Sequence, residues 1–527
     1  MKRNVTAGDC LGLALEVIGR GNELGLAKRK PRLLTSYELE FLNNDLAILG
    51  MRYKRMHEML KFFYKSWADR TDTDGWIITG EEAQLDRYLS ETLEFQESML
   101  EQEAPSLACK LLEAHPELAT AMGIDEIELA DAHMMSKASQ QMCLLLANGN
   151  VSAHSVDEPS VPLAEPYPHA VIEELAEKTD VRKPNPCVLE QRIEETPQDE
   201  FALIAKEVAS AVASGTKPSE IFIATPNGTW SKCIAKALKA ASIKSAQRVS
   251  DRALHGDLAS LDDSTAAQAA CLLTLVASPE DAASWRSWCG FGRHLAHNDF
   301  FDELWRYGRN NELGMLESLQ KLHNEGRGEL KVSDSAFAEV MSRYTDAKRA
   351  ISICTSLTGS KLIESVCQLV AYDERACEKA QEALIELLGS TDLSGKSAQE
   401  LSICIRKRLE QRPWEDAEAV RIGRIEDVYG LEPKLAIISG MVNGFTPNGK
   451  TIDATQTMLD KRERIEQAEA DKITYLRNHC TGKVIASGFK LIEARLAEQF
   501  KLGVERIQII DSQRVARVTP SSVLKKL

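Results

Sequence analysis

Leu435 to Ser439 reads Leu, Ala, Ile, Ile, Ser, an apolar run too short for a helix and without polar alternation. A strand of that kind is buried on both faces, which belongs to a parallel sheet covered by helices. Just upstream, Val420, Ile422 and Ile425 suggest a companion strand, with a polar turn between the two. A second unbroken run, Ile221 to Ala224, lies between two helical stretches. The first is capped by Thr196 to Glu200 and runs to Ala213; the second spans Trp230 to Ala241. Helix, strand, helix in that order predicts an α/β fold.

A chain of 527 residues has room for about two to four domains. No apolar run reaches the roughly 20 residues that span a bilayer, and Met1 to Ala7 has no signal-peptide core. The expectation is a cytoplasmic protein with no membrane partner. The formal charge of -15 excludes a surface that coats nucleic acid throughout, so any DNA contact must be a local groove. The 12 cysteines lie singly between Cys10 and Cys480, at neither C-x-x-C nor zinc-finger spacing. They read as buried thiols in a reducing compartment.

Thr35 with Glu38 forms a capping-box pattern. A helix follows in which Met56, Met59, Leu60, Phe63 and Trp67 make one stripe while Lys54, Lys61 and Lys65 fall on another. Interleaved Tyr53, Phe62 and Tyr64 allow two readings: a phosphate-and-stacking surface for single-stranded DNA, or an amphipathic helix with a solvated lysine face. From 156 to 186 prolines recur among acidic residues, the pattern of a linker. Residues 265 to 410 read as nearly continuous helices. Gly395, Lys396 and Ser397 imitate the end of a phosphate-binding loop, but Ser390 stands where the first glycine belongs and a helical pattern precedes it.

Gly430, Leu431 and Glu432 before the Leu435 strand resemble motif V of the UvrD and PcrA type superfamily 1 DNA helicases and their AddB-like helicase-nuclease branch. Glu426 and Tyr429 stand at that motif's His and Lys positions. Other segments follow in the family's order. The strand leading to Asp131 resembles motif II, with Ala132 and Met134 at the Glu and Gln positions. Ala153, His154 and Ser155 do not match motif III. Ile221 to Asn227 resembles motif IV, with Thr225 and Pro226 in place of its Arg. At motif VI, Asn478, His479 and Cys480 replace Thr-Arg-Ala, and Arg477 is out of register by about 100° around the helix.

The resemblance implies a RecA-like (P-loop NTPase-like) fold with large helical insertions. Residues 1–150 would be the remnant of a first RecA-like domain with a 1B-like insertion, and 151–186 a Pro-rich linker. Residues 187–264 and 413–527 would form the second RecA-like domain, interrupted by a 2B-like block at 265–412. Asp131 would hold magnesium, although it could equally cap a helix. Glu432, Arg477 and His479 would face the nucleotide, and Tyr429 and Gly430, with Lys54, Lys61 and Lys65, would face DNA. Because phosphoryl transfer relies on positioned cations, the altered motifs imply a helicase-like protein without its own ATPase. It would be a truncated or degenerate subunit in DNA repair or recombination, beside a complete helicase or nuclease partner. An active ATPase using ATP and Mg2+, with divergent motifs or completed by a second chain, is the alternative; a helical interaction scaffold is the third.

Overall fold

A computed structural model describes the chain except for residues 73–76, 78, 156–170, 182–186, 248–253, 255, 293, 390, 410–417, 429–430, 449–458, 511 and 527. It divides into two units: Met1–Cys10, Ile124–Arg248 and Pro413–Leu527 form one, Leu11–Gly123 and Val249–Arg412 the other. No described helix is long and apolar enough to cross a membrane.

The first unit is α/β. Its four-stranded sheet contains β1 (Lys2–Val5), β2 (Glu126–Ala130), β3 (Val151–Ser155) and β4 (Thr179–Val181), side by side in that order and all parallel. Strands β3 and β4 fall inside the stretch expected to be linker, and among the described residues between them the single turn Glu173–Ala176 is helical.

The second sheet has β5 (Leu189–Glu194), β6 (Ile221–Ala224), β7 (Ser245–Gln247), β8 (Val420–Gly423), β9 (Leu435–Ile438) and β10 (Lys483–Phe489). Their order is β5-β10-β9-β6-β8-β7, again all parallel. The two unbroken apolar runs are its central pair, and every residue of β6 and β9 is buried. Alternate side chains face opposite helix layers. Ile221, Ile223, Leu435 and Ile437 pack with Ile204 and Val208 of the Pro197–Ala213 helix and with Trp230, Ile234 and Leu238 of the Gly228–Ala240 helix. Phe222, Ala224, Ala436 and Ile438 pack with Ile473 and Leu476 of the Leu459–His479 helix. A strand with two apolar faces and helices over both can show no alternation, which is why the runs are continuous. Strand β8 ends at Gly423, so Ile425 belongs to a short 3-10 turn instead of the strand. A three-stranded antiparallel sheet of β11 (Leu491–Glu493), β12 (Val504–Ile510) and β13 (Gln513–Val518) follows, in the order β11-β13-β12.

The second unit is helical in its regular structure. Its centre is the Thr265–Ala277 helix, buried at almost every position, so its surroundings must be apolar on all sides. Buried charge here is matched by arginine: Arg286 donates to Asp45 at 2.9 Å and lies 3.7 Å from the Phe301 ring centre, while Arg32 joins Glu38 and Asp281 at 2.6 and 2.8 Å. Glu38 also accepts the Thr35 amide at 2.7 Å, the expected return half of the capping box. Gly395, Lys396 and Ser397 sit between two helices, where the Ser397 hydroxyl and amide both donate to Glu400 at 2.9 and 2.8 Å, a helix cap with no preceding strand.

Candidate functional site

Parallel sheets gather ligands at the carboxyl ends of their strands, where strand-to-helix turns leave backbone donors open. In the four-stranded sheet that edge carries the Thr6 to Asp9 turn after β1, Asp131 after β2 and Ser155 at the end of β3.

Asp131 takes a left-handed backbone conformation, φ 53° and ψ 57°. Its amide donates to the His154 carbonyl at 2.8 Å and its own carbonyl accepts from the Met134 amide at 2.8 Å, so the chain leaves the sheet at once into a 3-10 turn. Aspartate tolerates this region better than most residues because its short side chain can bond locally. The carboxylate here is directed elsewhere, with 5% of the side chain exposed.

Two side chains from the Leu459–His479 helix meet it. The Tyr475 hydroxyl donates to Oδ2 at 2.8 Å, and His479 Nε2 stands 2.9 Å from the same oxygen, close enough for an ion pair though outside strict hydrogen-bond alignment. Four residues apart, they share one helix face, with rings stacked at 3.8 Å and 19°. His479 Nδ1 lies 2.9 Å from the Tyr475 carbonyl, which can only accept, so Nδ1 carries a proton. Nε2 faces the carboxylate at 2.9 Å, the geometry of an ion pair whenever the ring is also protonated there. Burial alone would raise the Asp131 pKa; contact with His479, then Tyr475 and His133, outweighs it and holds the group below the ordinary aspartate value. His133 is itself buried, with Nδ1 3.2 Å from the Ser155 hydroxyl.

The turn after β1 is also closed. The Asp9 carboxylate accepts the Thr6 amide at 2.9 Å and the Thr6 hydroxyl at 2.7 Å, taking a backbone donor that a phosphate would need. Ala7 packs on the apolar cluster that contains Met134, Leu476 and Val523. Magnesium does not fit the arrangement. Oδ1 of Asp131 has no hydrogen-bond partner among the described residues and offers one oxygen, but a divalent cation there would share the carboxylate with His479 and Tyr475 on Oδ2. Among the described residues, no three His, Cys, Asp or Glu side chains converge on a metal position.

No protein-family model matches the chain, and no curated protein does.

The remaining expected site residues are dispersed. Arg477 is two residues beyond Tyr475, about 200° around the helix, and its Nε donates to the Cys187 carbonyl at 3.4 Å. Glu432 is exposed in the turn before β9. Tyr429 and Gly430 lie outside the described residues. Glu426, at the motif's His position, accepts Lys472 Nζ at 2.6 Å. Lys54, Lys61 and Lys65 are exposed on the Tyr53–Asp69 helix, with Glu58 inside their stripe and Lys65 paired to Asp69 at 2.6 Å. Phe62 and Tyr64 are half-buried against the neighbouring helices, where burial pushes the Tyr64 hydroxyl up to about 12. Tyr53 is the exposed ring of the three, at 65%.

Sequence reasoning missed Asp9, His133 and Tyr475, and it read Glu200 only as part of a helix cap. The structure buries Glu200 completely at the carboxyl ends of β9 and β10. One oxygen accepts the Gly440 amide and the Ser487 hydroxyl, both at 2.7 Å; the other accepts Trp230 Nε1 at 3.4 Å. The Tyr475 and His479 pair was available as an i, i+4 spacing, but spacing does not say what a helix face meets.

Proposed function

We propose that this is a helicase-related protein with RecA-like halves that binds DNA and has no ATPase of its own. It acts in DNA repair or recombination beside a nucleotide-driven helicase or nuclease subunit. The observation that carries the reading is the state of Asp131: the carboxylate at the end of β2 is already engaged by His479 and Tyr475. Phosphoryl transfer needs cations around the phosphates and an ionised carboxylate free to hold the metal. Here the carboxylate is already engaged by His479 and Tyr475, and Asp9 closes the first turn. Two parallel sheets, the larger with helices on both faces, suit the helicase resemblance, and the acidic overall charge limits DNA contact to a local surface.

The test is a steady-state ATPase assay with and without single-stranded DNA, paired with a DNA-binding titration at low salt. The expected result is DNA binding without turnover. DNA-stimulated hydrolysis that disappears in Asp131→Ala would make the protein an active motor and end this reading.

A further inference from the structure

From Ile221 to Arg248 the chain contains no Asp or Glu, although Asp and Glu together number 79 of its 527 residues. The stretch includes the Gly228–Ala240 helix, whose buried side carries Trp230, Ser231, Ile234 and Leu238. Lys232, Lys236 and Lys239 lie opposite, all exposed, at i, i+4 and i+7. That spacing confines them to a stripe about 60° wide and about 10 Å long. Like charges at i, i+4 oppose helix formation by roughly 0.2 to 0.5 kcal/mol per pair, and the helix has no carboxylate to offset them.

The surroundings reinforce the positive sign. The Pro197–Ala213 helix packs on the same face of the six-stranded sheet and exposes Lys206; Lys217 and Lys244 are exposed beyond the helix ends. Only two carboxylates occur between Lys206 and Lys244 in the sequence, Glu207 and Glu220. Each is matched by a lysine from elsewhere, Lys483 at 3.1 Å and Lys434 at 3.0 Å. Among the described residues neither Lys236 nor Lys239 forms an ion pair. The patch also has no exposed large apolar side chain among the described residues, so it lacks the anchor that protein interfaces use.

We infer that the Gly228–Ala240 helix carries a phosphate-binding stripe, Lys232, Lys236 and Lys239, for the backbone of single-stranded nucleic acid. This inference rests on the DNA-binding reading above and gives it a surface. The stripe would neutralise backbone charge without reading sequence, so binding through it releases counterions and weakens as salt rises.

The test is fluorescence anisotropy with a labelled oligothymidylate over a salt series, comparing wild type with the combined Lys232→Gln, Lys236→Gln, Lys239→Gln variant. Each phosphate contact on a single strand contributes about 0.7 to the slope of log affinity against log salt. The slope should fall by about 2, with affinity at low salt reduced about tenfold. A companion measurement needs no variant: bound oligonucleotide should protect these three lysines from acetylation in the wild-type protein. Wild-type binding with an unchanged slope in the variant and no protection would place the contact elsewhere, overturning the stripe and leaving DNA binding intact. No wild-type binding at low salt would overturn both. Protection that appears with an acidic polypeptide and not with the oligonucleotide would assign the stripe to a protein partner and reject the inference.

Discussion

Asp131 and Glu200 are both buried carboxylates of the α/β unit, each at the carboxyl edge of a parallel sheet, yet their chemistry is opposite. Burial pushes both pKa values upward. At Asp131 contact with His479, then Tyr475 and His133, outweighs that push and the pKa falls below the ordinary value. At Glu200 the donors are neutral, namely Gly440, Ser487 and Trp230, and the pKa stays raised. The difference teaches that position at a strand end does not by itself create a reactive acid. What matters is whether the opposite partner carries charge. Asp131 is an ionic clasp between the end of β2 and the Leu459–His479 helix; Glu200 is a hydrogen-bond hub joining the exit of β9, strand β10 and an indole.

Removing the charged partner should therefore have the largest effect. Asp131→Ala leaves a buried imidazole and a buried hydroxyl without their acceptor, and unpairing buried charge costs about 3 kcal/mol. The expected result is a lower urea midpoint. A near-neutral outcome, accompanied by lost Mg-nucleotide binding, would show a metal ligand instead of a clasp. Tyr475→Phe removes the hydroxyl's hydrogen bond to the Asp131 carboxylate while keeping the ring stacked on His479, so a loss of about 2 kcal/mol is expected. If it matches Asp131→Ala in size, the hydroxyl and not His479 is the principal partner.

The pH dependence separates the two carboxylates by sign. A lowered folded pKa means that Asp131 contributes stability above its unfolded value near 3.8, and that contribution is lost as pH falls through the lower folded value. The stability gap between wild type and Asp131→Asn should close under acid conditions. For Glu200 the folded pKa is raised from 4.5, so its contribution is present below 4.5 and is lost as pH rises through the folded value. Urea midpoints measured across this range for the wild type and the two amide variants would expose the crossing. Parallel curves for both variants would erase the distinction.

Much of the α/β scaffold was legible because β6 and β9 are buried on both faces and show it as unbroken apolar runs. Strands β1 and β4 were not, since Lys2–Val5 and Thr179–Val181 are short and lie at the two edges of their sheet, where apolar content is not required. Asp131 was visible as the first acid after an apolar strand, and His479 by its distance from β10. Their meeting was not visible, because it depends on two segments 344 residues apart in the Tyr475 contact. Arg477 shows the limit from the other side. It is the chemically attractive residue of that helix, yet two positions of offset turn it toward Cys187. Lys54, Lys61 and Lys65 drew notice through their aromatic neighbours, but Glu58 and Asp69 dilute that stripe. The Gly228–Ala240 helix has no Asp or Glu within its own sequence, which only a search for missing carboxylates would have found.

Glu200→Gln is the smallest effect and the sharpest test of the comparison. Both short hydrogen bonds, from Gly440 and Ser487, reach the same carboxylate oxygen at 2.7 Å, so an amide oxygen placed there keeps them. The amide nitrogen then faces Trp230 Nε1, whose 3.4 Å contact is the weakest of the three. What is lost is one long hydrogen bond; what is relieved is the burial of negative charge near neutral pH. The net change should stay within about 1 kcal/mol, and the part of the stability profile that depends on pH above 4.5 should flatten. A loss several times larger would mean that Glu200 is ionised in the fold and held by a cation, making it a second Asp131 and leaving the two sheet edges chemically alike.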